Sequence, residues 1–166
     1  MVEGARLESV YTSKGYRGFE SHSLRQYPTY PDMRPMLSGI GENFELLGNA
    51  GDDTILLGVN GAPGGAGKAD GGEGSDEYHV WAVGAVEIKD LGTSGYDEVF
   101  LHQIDVLEYN YDRFGNDLVF YTDADASDGT ISAGVIFTDW YAGANTIERI
   151  WLAENTQYFD ASHFPV

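Results

Sequence analysis

Residues 48–56 read GNAGDDTIL and residues 71–79 read GGEGSDEYH, joined by the Gly-rich spacer LGVNGAPGGAGKAD at 57–70. Both ends fit one nine-residue pattern, G-G-x-G-x-D-x-U-x, with U a large apolar residue; Asn49 stands for the second glycine of the first copy. Each copy therefore fixes glycines, an aspartate and an apolar residue in register.

The chemistry accounts for the residue types. Glycine takes φ > 0 without steric cost, so the loops can curl tightly and turn carbonyl oxygens toward one point. Calcium is a hard cation that takes six to eight oxygens, and such carbonyls together with an aspartate supply them. Ile55 and Tyr78 then begin short strands whose alternate residues enter a core. In an ideal array, two nonapeptides bring the chain back to the same edge after about 18 residues. Here Asp53 and Asp76 are 23 apart, and the excess fits a longer loop on the opposite side, where Pro63 and the glycines suit an irregular turn. Asp53 and Asp76 are thus expected to flank one ion.

The shorter core G-x-D-x-U occurs four times: GDDTI at 51–55, GSDEY at 74–78, GYDEV at 95–99 and GNDLV at 115–119. Its aspartates, Asp53, Asp76, Asp97 and Asp117, are spaced by 23, 21 and 20 residues. Such a drifting period is expected of stacked coils with variable loops, or of successive hairpins. The third copy, GTSGYDEVF from Gly92, keeps more of the nonapeptide than the fourth, so Asp97 joins the candidate metal ligands.

With these repeats the chain resembles the repeats-in-toxin, or haemolysin-type calcium-binding, family. The resemblance spans roughly residues 39 to 160, because GNDLVF, GVIFTDWY and NTIERIWLAENTQYFDA look like the domain that often follows such repeats. It implies Ca²⁺ held by carbonyls of Asn49 and Gly51 with Asp53, and by carbonyls of Gly71 and Glu73 with Asp76. The half-coil before them, GIGENFELL from Gly39, has Phe44 where an aspartate belongs, which points to one ion rather than a row. The resemblance also implies a secreted structural module that folds on binding Ca²⁺ outside the cell, as the C-terminal part of a larger exported protein, with type I secretion and a C-terminal export signal. The implied architecture is all-β: a short parallel β-roll, or β-solenoid, over residues 36–100 and a β-rich cap over 101–166.

Whole-chain numbers agree with a turn-rich β protein: 166 residues with Gly 22, Tyr 11, Phe 8 and Pro 5. Cys 0 removes disulfides and cysteine-ligated zinc. The net charge of −18 lies downstream of residue 34, since residues 1–34 carry five basic against four acidic side chains. That acidity argues against nucleic acid and anionic lipid as partners, and closely set carboxylates call for divalent cations. No apolar run is long enough to span a bilayer.

Residues 1–35 show neither strand nor helix periodicity and no secretory signal. GFESHSLRQ at 18–26 back-translates to codons containing the arm and terminal CCA of a serine-type tRNA gene. This segment is expected to be either a gene-calling overrun, with the start at Met33 or Met36, or a disordered tail.

Other features are weaker. TDADASDG at 122–129 spaces Asp123, Asp125 and Ser127 as in an EF-hand loop, but its glycine falls one place late and Gly134 stands where a bidentate Glu is needed. A solvated acidic turn is the expectation. No HExxH, GxSxG or Walker pattern is present, no histidine pair has metal-ligand spacing, and the chain is expected not to be an enzyme. His79 and His102 read as ordinary strand-face residues. IERIWLAE at 147–154 reads as strand. Two alternatives stay open: an adhesion or carbohydrate-binding module bearing Trp140 and Tyr141 toward an extracellular glycan or cell surface, and a fragment of an exported polysaccharide- or protein-degrading enzyme.

Overall fold

The computed structural model describes residues 36–39, 44–58, 66–81, 84–102, 109–128, 131, 134–143, 145–152 and 156–165. The expectations for residues 1–35 lie outside the described residues. The fold is all-β. Twelve strands are seen: β1 (Met36–Gly39), β2 (Phe44–Ala50), β3 (Thr54–Leu57), β4 (Gly67–Glu73), β5 (Glu77–Trp81), β6 (Ala85–Ile88), β7 (Asp97–His102), β8 (Tyr109–Phe114), β9 (Asp117–Thr122), β10 (Gly134–Phe137), β11 (Ile147–Leu152) and β12 (Gln157–Asp160). The one α-helix among the described residues, α1, is Asp123–Asp128.

The strands make two six-stranded sheets, ordered β1-β3-β5-β7-β11-β12 and β2-β4-β6-β10-β9-β8. From β1 to β7 the chain alternates between them, so neighbours within a sheet are next-but-one in sequence and pair parallel. Parallel neighbours require the chain to cross over between them, and here each crossover is a visit to the opposite sheet. Both sheets are mixed. β10 and β11 extend them in parallel, whereas β9, β8 and β12 close them as antiparallel strands.

Alternation of side chains along β3, β5, β6 and β7 sends one face of each of these strands inward. Parallel register then stacks like positions into columns. Ile55, Tyr78, Val99 and Ile150 form one column of the first sheet; Leu46, Ala69, Ile88, Phe137 and Leu118 form one of the second. All belong to a single buried core shared by both sheets, and each fully buried large side chain contributes roughly 1.5–3 kcal/mol. Along one edge of this stack, short loops of the type quoted above carry the chain from the second sheet back to the first.

EYHVWAVGAVEIKD, residues 77–90, contains two strands, β5 and β6, which lie in different sheets and do not pair. IERIWL is strand, as expected.

Candidate metal centre

Three loops stack at this edge: 51–53 between β2 and β3, 74–76 between β4 and β5, and 89–96 between β6 and β7. Backbone bonds tie them in register. Gly51 N–H donates to the Glu73 carbonyl at 2.7 Å, and Glu77 N–H and Glu98 N–H donate to the carbonyls of Asp53 and Asp76, each at 2.9 Å. Asn49 (φ 76°), Gly51 (φ 108°), Gly72 (φ 90°), Gly74 (φ 138°) and Gly95 (φ 109°) all lie in positive-φ conformations, which sets the tight curl.

The motif aspartates form a ladder inside the stack. Asp53 N–H donates to Asp76 Oδ1 at 2.8 Å, and Asp76 N–H to Asp97 Oδ1 at 2.8 Å. Asp97 N–H donates to Glu148 Oε2 at 2.5 Å. Asp53, Asp76 and Asp97 are each at most 2% exposed. A parallel outer ladder runs beside it, with Ser75 N–H on Asp52 Oδ1 at 2.9 Å and Tyr96 N–H on Ser75 Oγ at 3.0 Å.

The Asp53 and Asp76 carboxylates each fold back over the glycine that opens their own motif. A Cβ on Gly48 would collide with Asp53 Oδ2 and with the Gly71 carbonyl oxygen. A Cβ on Gly71 would collide with Asp76 Oδ2 and the Tyr78 hydroxyl. The oxygens therefore share spaces that only glycine leaves open. Among the described residues, both oxygens of Asp53 and Oδ2 of Asp76 are buried without a hydrogen-bond partner. Leaving a buried charged group unpaired is costly.

Burial is the first cause of the resulting electrostatics. It pushes the Asp53 carboxyl up to about 6, with Asp76 and Asp52 adding repulsion. It also pushes Asp76 up to about 6, against the amide bond from Asp53 that favours the charge. Asp97 is pushed up to about 8 by burial, with Asp90 and Glu148 adding to it and the Asp76 amide opposing. Such a set of hard oxygens suits a divalent cation and offers nothing to a soft one.

Of the expected ligands, Asp53, the Gly71 carbonyl and Asp76 are brought together, and Asp97 follows one rung on. The Glu73 carbonyl is taken by Gly51 N–H, and its side chain accepts hydrogen bonds from Thr93 and Ser94. The carbonyls of Asn49 and Gly51 face the α-carbons of Gly72 and Gly74 in the next rung. Asp117 lies elsewhere, in the β8–β9 hairpin, where Oδ1 accepts Asp139 N–H at 2.8 Å. Glu148 takes the fourth rung in its place.

Sequence reasoning missed two further groups. Asp90, fully buried after β6, accepts from the Tyr78 hydroxyl (2.6 Å), Gly92 N–H (2.9 Å) and Thr146 Oγ1 (3.1 Å). His79 and His102, 23 residues apart, meet nitrogen to nitrogen at 2.9 Å on the outer face of the first sheet.

The sequence favours an acidic turn over an ion site at 122–129 and a core place over a surface platform for Trp140. Residues 123–128 form a helical turn rather than an ion-binding loop, and Asp125 is buried with Oδ2 on Thr122. Trp140 is no surface platform. It is 4% exposed, its Nε1–H donates to the Phe164 carbonyl at 3.0 Å, and it packs edge-on against Phe137. Tyr141 is half-buried beneath the Arg113 guanidinium.

No protein-family model matches the chain, and no curated protein matches it. No helix among the described residues is long and apolar enough to cross a membrane.

Proposed function

We propose that this chain is a secreted calcium-binding structural module, a short parallel β-roll with a β-rich C-terminal cap, that folds on binding Ca²⁺ outside the cell and serves as the C-terminal part of a larger exported protein. The β-roll reading draws support from the alternation of β1 to β7 between two sheets with parallel pairing throughout. The calcium reading draws support above all from Asp53, whose two carboxylate oxygens are buried and unpartnered beside the Gly71 carbonyl.

The chain's own residues would act as follows. Asp53 and Asp76, joined through the Asp53 amide, would hold the ion with the Gly71 carbonyl, while Gly48 and Gly71 leave room for the oxygens. The ion supplies positive charge that offsets carboxylate repulsion and links successive rungs. Where free calcium is scarce the loops stay open, which favours export of a loose chain. In millimolar calcium even a weak site, with Kd on the order of 10⁻⁴ to 10⁻³ M, fills. At about ten times Kd each ion stabilises the fold by roughly 1.4 kcal/mol, enough to matter in a marginal domain.

The test is a circular-dichroism melt of the full chain in chelator, in millimolar Ca²⁺ and in Mg²⁺, repeated for Asp53→Asn. The expected result is a melting temperature raised by Ca²⁺ and not by Mg²⁺, with the gain diminished in the variant. Equal stability in chelator and Ca²⁺ overturns the proposal.

A further inference from the structure

We infer that the chain carries a second cation site, built from three carboxylates, Asp76, Asp90 and Asp97, one rung beyond the Asp53 site. It takes the identity of the ion from the function proposed above; it shares Asp76 with the first site, and Asp90 and Asp97 are its own.

The juxtaposition follows from register. β4 and β6 pair as far as Ala69 and Ile88, and beyond that pairing the Tyr78 hydroxyl accepts Gly71 N–H and donates to Asp90 Oδ2, so Asp90 lies at the end of the column that holds Gly48 and Gly71. In the first two rungs that column is a glycine, and in the second its carbonyl oxygen lies beside the carboxylate of the rung before. In the third rung it is an aspartate, which adds a whole carboxylate to the same space. Ligand oxygens of Asp76, Asp90 and Asp97 all lie within 4.8 Å of one another, and all three residues are buried.

Two observations separate this from a chance acidic cluster. The first is Asp76 Oδ2, fully buried and without a partner among the described residues. It lies beside the Tyr78 hydroxyl, which itself donates to Asp90 Oδ2, so the unspent oxygen is on the Asp90 side of its rung. The second is how Asp90 is held. Gly92 N–H and Thr146 Oγ1 both donate to Oδ1, and Tyr78 to Oδ2, so the carboxylate is fixed from three elements before any ion arrives. Three hard, fixed carboxylates favour a compact, highly charged, oxygen-seeking cation, Ca²⁺ or a trivalent lanthanide. Because Thr146 leads into β11, an ion here would also link the repeat loops to the strand that supplies Glu148.

Terbium titration of the full chain, with folding followed by circular dichroism, tests this. Wild type is expected to bind two ions. Asp90→Asn is expected to lose one and keep the ion that depends on Asp53, and Asp53→Asn is expected to lose the other. Tyr78 also provides an internal reporter, since energy transfer from tyrosine to bound terbium falls steeply with distance. Tyr78→Phe, which also removes the hydroxyl bond that holds Asp90, should lower tyrosine-excited emission and weaken terbium binding at this site. A wild-type chain that binds one ion, lost in Asp53→Asn and kept in Asp90→Asn, overturns this inference and leaves the proposed function standing. A single ion lost in Asp90→Asn and kept in Asp53→Asn supports this site and removes the first. Should Asp90→Asn fail to fold, undiminished tyrosine-excited emission from folded Tyr78→Phe overturns the site.

Discussion

The backbone N–H of Asp53 donates to Oδ1 of Asp76 at 2.8 Å, across 23 residues of chain. The same step recurs from Asp76 to Asp97 and from Asp97 to Glu148, so each carboxylate caps the amide of the acid one rung before it. One oxygen of each later acid is thereby spent on structure. Asp53, at the start of the ladder, has no such duty, and neither of its oxygens has a hydrogen-bond partner among the described residues. A single motif thus serves two purposes: it pins the loops in register, and it leaves charge over at one end.

Asp53→Asn should raise stability without calcium and diminish the calcium response. In chelator the variant removes a buried charge, and the introduced amide has the Gly71 carbonyl within its surroundings, so melting should rise by an amount on the order of 1 kcal/mol. In Ca²⁺ the variant should gain only what the ion at Asp76, Asp90 and Asp97 supplies. Paired melts with and without chelator read both effects, and a variant less stable than wild type in chelator contradicts the account.

Asp76 divides the two roles within one side chain. Asp76→Asn keeps an oxygen for Asp53 N–H and loses the charge; Asp76→Ala also strands that buried amide. The alanine variant should therefore be less stable than the asparagine variant by about 1–3 kcal/mol in chelator, and neither should respond normally to calcium. Urea melts of the two variants in chelator measure the difference directly.

The chelated protein should lose stability as pH rises. Asp53 and Asp76 titrate near 6 and Asp97 near 8 when folded, against an ordinary value of 3.8. Between 3.8 and those values the folded chain holds protons that the unfolded chain has released, so stability is greatest near pH 4 and declines through pH 8. His79, lowered by burial and by His102, and Glu73, lowered by its bonds from Ser94 and Thr93, give the opposite slope, against five raised acids once Asp70 and Glu148 are included. Calcium requires deprotonated ligands, so its benefit should grow over the same window. Melts at pH 5 and pH 8, each with chelator and with Ca²⁺, should show the calcium effect small at the first and large at the second.

The sequence made the first three rungs readable because each motif is local. Gly, Asp and an apolar residue within five positions specify a curled loop and the strand that leaves it, and the all-β class follows from alternation in β3, β5 and β7. The fourth rung was not readable from the period. Spacing alone nominated Asp117, whereas the partner of β7 arrives only after β8, β9, α1 and β10, in β11. Glu148 precedes the alternating apolar run of β11 much as Asp97 precedes that of β7, and Glu98 pairs with Arg149 next to it. That acid-before-strand pattern was the available signal. Asp90 had none, since it belongs to no motif and gains its place only through the pairing of β6 with β4. His79 and His102 likewise meet through strand register, not through spacing in the chain.

Glu148 and Asp117 offer a direct comparison of the two fourth-rung candidates. Glu148→Ala removes the acceptor of Asp97 N–H and should cost about 1–3 kcal/mol, while Glu148→Gln, which keeps an oxygen, should cost much less. Asp117→Ala instead frees Asp139 N–H in the β9 region, so it should destabilise by about 1 kcal/mol and leave the calcium-dependent gain intact. The decisive quantity is the calcium increment in melting temperature. A loss of that increment in Asp117→Ala, with none in Glu148→Ala, would restore the even spacing as the guide to the stack.

Gly51 and Gly74 separate backbone strain from the close approach of successive rungs. Both have positive φ, 108° and 138°, so an alanine at either position strains the backbone by about 1–2 kcal/mol. At Gly51 the space for a Cβ is open, and strain is the whole effect. At Gly74 the Cβ would run into the carbonyl oxygen of Gly51 in the rung below, so the loops would also have to separate. Gly51→Ala should therefore fold with a modestly lowered melting temperature and bind calcium. Gly74→Ala should lose several times as much stability and most of its calcium affinity, because the distance between rungs sets the distance between their acids. Equal costs for the two substitutions, measured by denaturant melts and calcium titration, would mean that the rungs do not stack this closely in solution.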